Sequence, residues 1–228
     1  CTIGCPNCLE AAAGLDTLHS RYHSGEFISL RNYIQAGALS NQWSEALATF
    51  YGADLFPNVI FNGTTSITGG GDDVASGLMY LPVLAAKRFA PSPVKMEITA
   101  YNASQSTLAG RVTMLSPDFV LNGATLRIFL VENNVSADAS HVVREIVTQT
   151  FSLSGQNNYA DISAFFTTLP VNFQNFWAAA YLQLPDRTII QAASTLPQPQ
   201  FQIRAAFDWS SQIIGPANSN YLSQPVWF

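Results

Sequence analysis

The sequence predicts an α/β domain over residues 1–90, an all-β sandwich over residues 93–208, and an unassigned tail, residues 209–228. Three observations predict it. Through residue 88, apolar residues recur by turns at helical spacing and at alternate positions. Ala90-Pro91-Ser92-Pro93 then reads as a linker. Beyond it come short alternating runs separated by Asn, Gly, Ser and Pro turns, which is the spacing of a sandwich.

In the first part, Cys8, Ala12, Leu15, His19 and Tyr22 follow helical spacing, so residues 8–22 read as a helix closed by Gly25. Phe27–Ile34 sets Ile28, Leu30 and Ile34 against Ser29, Arg31 and Tyr33 and reads as a strand. Ser40 or Asn41 caps a second helix, Trp43–Tyr51, which stops at Gly52. Val59–Phe61 and Thr65–Thr68 flank Asn62-Gly63 as a hairpin. Gly69-Gly70-Gly71 breaks the chain. Asp72 or Asp73 then opens a helix toward Arg88, bent at Pro82. In the second part, seven strands are expected: Val94–Ala100, Leu108–Leu115, Thr125–Val131, Arg144–Leu153, Phe176–Leu182, Thr188–Ala192 and Gln202–Phe207.

Composition narrows the function. Of the 228 residues 48% are hydrophobic, enough for a sizeable core. Only 11% are charged, less than half of the usual share of about 25%. Asn, Gln, Ser and Thr supply the polar surface, a composition that suits an exported protein. The net charge of −5 comes with no basic patch, which argues against a nucleic-acid partner. The longest apolar stretch, Leu78–Ala86, is short and holds Pro82, so no transmembrane segment is expected.

All three cysteines lie in the first eight residues, which points to local chemistry. In Cys5-Pro6-Asn7-Cys8 the first sulfur sits at a helix start, beside unpaired N–H groups and the positive end of the helix dipole. Both favour thiolate and lower the pKa of Cys5. Such a thiolate attacks a partner disulfide, and Cys8, one turn further in, resolves the mixed disulfide. Cys5 and Cys8 are therefore the candidate catalytic residues. Cys1 is also a near neighbour of Cys5, so a second pairing stays open. Zinc needs about four ligands. The chain offers His19, His23 and His141 and no second cysteine pair, so neither metal nor cofactor is expected. Phe56-Pro57 opens an apolar strand that ends in a turn. A cis peptide there would expose the preceding backbone to an added substrate strand, which makes Phe56 and Pro57 candidate substrate-binding residues. An ordinary trans proline is the other reading. His141, Arg144 and Glu145 read as a polar cluster at a strand edge.

With these motifs in place, residues 1–88 resemble the thioredoxin superfamily. The chain as a whole resembles the bacterial thioredoxin-like outer-membrane protein family, whose members join a thioredoxin domain to an immunoglobulin-like sandwich. The likeness is carried by Cys5–Leu18, by Phe50-Tyr51-Gly52 with Phe56-Pro57 and Phe61-Asn62-Gly63, and by Leu126–Glu132, His141–Arg144 and Trp177–Ala192. It implies an α/β thioredoxin fold followed by an all-β immunoglobulin-like sandwich. It also implies a Cys5–Cys8 pair with Cys1 as an extra, and a cis Phe56–Pro57 peptide facing that pair. The function it implies is a thiol-disulfide oxidoreductase of the periplasm or outer membrane, with the thiols or disulfides of exported proteins as partners. The alternative is a binding module that docks an envelope protein and keeps a structural disulfide. Nothing ahead of Cys1 supplies the first strand of that fold. The expectation is that residues upstream, or a later segment such as Phe201–Phe207, fill a central gap.

Overall fold

The computed structural model describes residues 2, 4–22, 25–88, 90–137, 139–168 and 172–196. The helices are α1 (Pro6–Arg21), α2 (Gln42–Tyr51), α3 (Asp72–Ala75) and α4 (Leu81–Arg88). A hairpin of β1 (Asn58–Phe61) and β2 (Thr65–Thr68) lies between α2 and α3. Seven strands follow: β3 (Val94–Asn102), β4 (Thr107–Met114), β5 (Val120–Glu132), β6 (Val142–Ser154), β7 (Tyr159–Phe165), β8 (Phe176–Gln183) and β9 (Ile189–Ser194). They form two antiparallel sheets, ordered β3-β4-β7 and β6-β5-β8-β9.

Local chemistry accounts for the helix ends. Pro6 opens α1, where its missing N–H costs nothing. Asn41 Oδ1 accepts the Ser44 N–H at 2.9 Å and starts α2, and Gly52, at φ 65°, ends it in the left-handed conformation. The expected bend at Pro82 is replaced by two separate helices. Pro82 is the second residue of α4, and a first turn needs no N–H from it.

The two sheets enclose one core, to which β5 gives Leu126, Ile128 and Leu130 and β8 gives Ala178, Ala180 and Leu182. The intervening residues face the other way and are buried too. Phe129, Val131, Val143, Ile146, Trp177, Ala179 and Tyr181 make a second cluster, against which Ile28, Leu30, Trp43 and Leu47 pack. The four-stranded sheet is thus covered on both faces, by its partner sheet and by the N-terminal layer. Residues 1–198 form one compact unit, although the type of secondary structure changes at Ala90–Pro93.

Polar groups seal the contact between the layers. Gln183, 1% exposed, donates from Nε2 to Tyr51 OH (2.8 Å) and to Arg187 O (2.7 Å), and its Oε1 accepts from Arg127 Nη1. The Arg127 guanidinium lies 4.5 Å from the Phe50 ring centre.

The expected α/β thioredoxin fold followed by an immunoglobulin-like domain is overturned. Among the described residues the structure is predominantly β, in three sheets, and those of the first ninety contribute only the two-stranded β1-β2 hairpin. The expected strand Phe27–Ile34 joins no sheet. It forms two isolated bridges, Arg31 with Val142 and Tyr33 with Ser40. Phe27, Ser29, Arg31 and Tyr33 are all buried, although this is the side that carries the polar residues, because the segment threads between α1 and β6. Among the described residues, β1 pairs with β2 alone, and Phe27–Ile34 lies in no sheet of this layer. In the second part, β7 had not been expected. Its inward positions Ile162 and Ala164 alternate with Asp161 and Ser163 and carry little apolar signal. Gln202–Phe207 lies outside the described residues.

Candidate functional site

The sequence-predicted cysteines sit at the start of α1. Cys5 is the N-cap, in extended conformation, and its sulfur takes the place usually held by a Ser or Asp oxygen. The Cys8 N–H donates to Cys5 Sγ at 3.2 Å and to Cys5 O at 3.0 Å. Both side chains are free thiols. They differ in access: Cys5 is half-buried, while Cys8 is 4% exposed. Burial, and then its hydrogen bond with Cys5, pushes the Cys8 thiol above the usual range. Cys1 lies outside the described residues.

The Phe56–Pro57 peptide is cis and leads into β1, with Pro57 buried and Phe56 half-buried. Pro57 O accepts the Gly69 N–H at 3.1 Å, and Gly69 begins a glycine loop that crosses the start of α1. The Gly71 N–H donates to Glu10 Oε2 at 2.6 Å. A Cβ on Gly70 would lie 2.7 Å from Asn7 Cβ and 2.9 Å from Asn7 Cα, so only glycine permits this approach. The loop therefore ties the proline segment to the Cys5-Pro6-Asn7-Cys8 turn.

Behind Cys8, the inner side of α1 meets a buried polar seam that sequence reasoning missed. Arg31, 5% exposed, pairs with Asp16 and donates to Ala12 O at 3.3 Å. Its N–H donates to His141 O (2.9 Å), and its carbonyl accepts the Val143 N–H (3.0 Å). Tyr33 is hydrogen-bonded with Arg31. Burial raises its phenol pKa, Arg31 opposes the rise, and Cys8 and Asp16 are near enough to add to it. His19 Nε2 and Ser29 Oγ are 2.7 Å apart, and the His19 ring lies 4.4 Å from that of His141. Burial, with His141 and Arg31 alongside, pushes His19 down to about 4. Burial and Arg31 lower His141 as well, against smaller opposing effects of Asp16 and of its bond to the Ser29 backbone. The only signal in sequence was an arginine inside an apolar alternation, which reads equally well as a solvent-facing residue.

The polar cluster expected at His141, Arg144 and Glu145 separates into three roles. His141 joins the seam. Arg144 pairs with Glu132 at 2.6 Å and donates to Ala38 O. Glu145, buried, accepts the N–H groups of Thr167 and Thr168 and closes the loop after β7. Among the described residues, no three His, Cys, Asp or Glu side chains converge as a metal site.

No protein-family model and no curated protein matches this chain. Solved structures do. HBP35 of Porphyromonas gingivalis aligns with a TM-score of 0.60 at 14% identity, over 83% of this chain and 70% of that one. The likeness is one of fold. A domain of the outer membrane lipoprotein Omp28 from Porphyromonas gingivalis aligns at a TM-score of 0.33 and 11% identity, over 46% of this chain and 88% of that one. Among the described residues, no helix is long and apolar enough to cross a membrane.

Proposed function

We propose that the chain is an exported protein of the cell envelope that exchanges disulfides with the cysteines of other exported proteins through Cys5 and Cys8. One observation carries this reading. The accessible sulfur caps a helix and receives an N–H, while the second sulfur lies buried one turn inside. The charge-poor composition supports export. In the reaction, the Cys5 thiolate attacks one sulfur of a partner disulfide. That S–S bond breaks, a Cys5–partner bond forms, and the second partner sulfur leaves as thiolate and takes a proton. Cys8 then gives up its proton, and its sulfur attacks Cys5 Sγ. The mixed bond breaks, the Cys5–Cys8 disulfide forms, and the partner has gained two electrons and two protons. The same steps in reverse oxidise a partner dithiol. Burial raises the Cys8 pKa, which suits a resolving sulfur rather than the attacking one.

The test uses insulin as a disulfide substrate. The reduced protein should cleave it. Cys8→Ser should accumulate a mixed disulfide at Cys5, and Cys5→Ser should accumulate none. Failure of the wild type to turn over insulin, together with a Cys5/Cys8 potential below about −300 mV, would show a structural bond and overturn the proposal.

A further inference from the structure

Cys8, Ala12, Asp16 and His19 form one stripe along α1, at the spacing that stacks side chains on a single helix face. A buried segment runs along this stripe in the opposite direction. Its residues Ile28 and Leu30 face the four-stranded sheet. The alternate residues turn to the helix: Ser29 Oγ meets His19 Nε2 at 2.7 Å, and Arg31 meets Ala12 O at 3.3 Å together with Asp16. Two residues of extended chain cover about 6.6 Å, the rise of roughly four helix residues. The next residue on the helix side, Tyr33, therefore comes level with the turn at residues 8–11, where Cys8 continues the stripe. Tyr33 is buried, is hydrogen-bonded with Arg31, and responds to charge on Cys8.

The exchange reaction sets a problem at this end of the stripe. Cys8 must be a thiolate when it attacks Cys5 Sγ, yet burial disfavours that charge. A hydrogen bond from the Thr2 N–H offsets part of the effect. A phenol O–H offered to the sulfur offsets more, and a guanidinium bonded to the phenol oxygen strengthens that donor. Burial raises the Tyr33 phenol above its ordinary value, so near neutral pH it keeps its proton.

We infer that Tyr33, backed by Arg31, is the positioning residue that stabilises the Cys8 thiolate as it attacks the mixed disulfide. The inference rests on the exchange reaction proposed for Cys5 and Cys8. In this step the Cys8 thiol loses its proton to solvent, and the Tyr33 O–H holds the charge left on sulfur. The sulfur then attacks Cys5 Sγ. The bond between Cys5 and the partner breaks, and the partner sulfur leaves with the electron pair and takes up a proton. Tyr33 keeps its own proton throughout, and Asp16 holds the Arg31 guanidinium in place.

Stopped-flow reaction with dithiobis(nitrobenzoate) separates the two thiol steps, using the full chain with Cys1→Ser so that only Cys5 and Cys8 count. The first equivalent of thionitrobenzoate marks attack by Cys5. The second marks resolution by Cys8, at a rate independent of reagent concentration. Tyr33→Phe keeps the ring and removes only the hydroxyl. It should leave the first phase unchanged and slow the second about tenfold near neutral pH, the worth of one hydrogen bond to a charged group. The pH midpoint of the second phase should rise by about one unit. Arg31→Gln should slow the same phase, and the double variant should lose less than the product of the two single effects. An unchanged second phase in Tyr33→Phe, or a slower one at the same pH midpoint, would overturn the inference and leave the exchange reaction standing. A parent protein with no concentration-independent second phase would overturn both.

Discussion

Replacing His19 with glutamine, which does not titrate, should flatten the acid dependence of stability. In the native protein the ring lies against His141 and Phe27, with Arg31 nearby and Asp16 paired to that arginine, and its pKa falls from 6.5 to about 4. The unfolded chain therefore takes up a proton between those values while the folded chain does not. Unfolding free energy must fall as the pH drops through about 6.5, and level off below about 4. A shift of about 2.5 units, at 1.36 kcal/mol each, sets a ceiling of about 3 kcal/mol. The ring keeps some contact with solvent, and screening brings the expected loss to about 2 kcal/mol. His141, lowered by the same burial, adds in the same direction. Urea unfolding of wild type and His19→Gln from about pH 7.5 to about pH 3.5 spans the window, and the difference between the two curves removes the contribution of the carboxylates. Parallel curves would refute the reasoning and show that the seam admits water or rearranges on protonation.

Three further outcomes are expected. Alkylation of the reduced protein followed by peptide mapping should label Cys5 before Cys8, with Cys8 lagging until alkaline pH. Labelling of Cys8 first would reverse the assigned roles. Gly70→Ala should cost about 1–3 kcal/mol in urea unfolding and speed Cys5 alkylation, because the new methyl meets Asn7 Cα and must lift the loop off α1. An unchanged alkylation rate would separate the loop from the cysteine turn. Gln183→Leu should lose about 3 kcal/mol, since it leaves the Arg127 guanidinium and Tyr51 OH without their buried partner. A neutral result would mean that water reaches this contact.

The cysteine turn was legible because it is local. Cys-Pro-Asn-Cys at a helix start fixes cap, spacing and access within four residues, and the Asn62-Gly63 hairpin and the Gly52 stop were visible for the same reason. The layer arrangement was not, because it depends on what covers a strand. Ile128-Phe129-Leu130-Val131 and Trp177–Leu182 run apolar without alternation, the pattern of strands buried on both faces. That pattern implies a second layer over the sheet. In the sequence both runs read only as sandwich strands, with no layer expected outside them. The same oversight hid the seam. Arg31 is buried because β6 lies over it, and nothing within eight residues of Arg31 shows this. His19 and His141, 122 positions apart, meet only once α1 is laid against that sheet.

The doubly covered sheet has a consequence for proteolysis at the Ala90–Pro93 connection. A nick there would cut the covalent link but leave Phe129, Val131, Trp177 and Tyr181 beneath Ile28, Leu30, Trp43 and Leu47. Each fragment would remain the other's missing wall, and the nicked pair should migrate as one species until denatured. Expressed alone, a fragment spanning residues 93–198 would bare an aromatic face together with the β6 edge that Arg31 now occupies. It should self-associate through that edge, and adding residues 1–92 in trans should dissolve the aggregate.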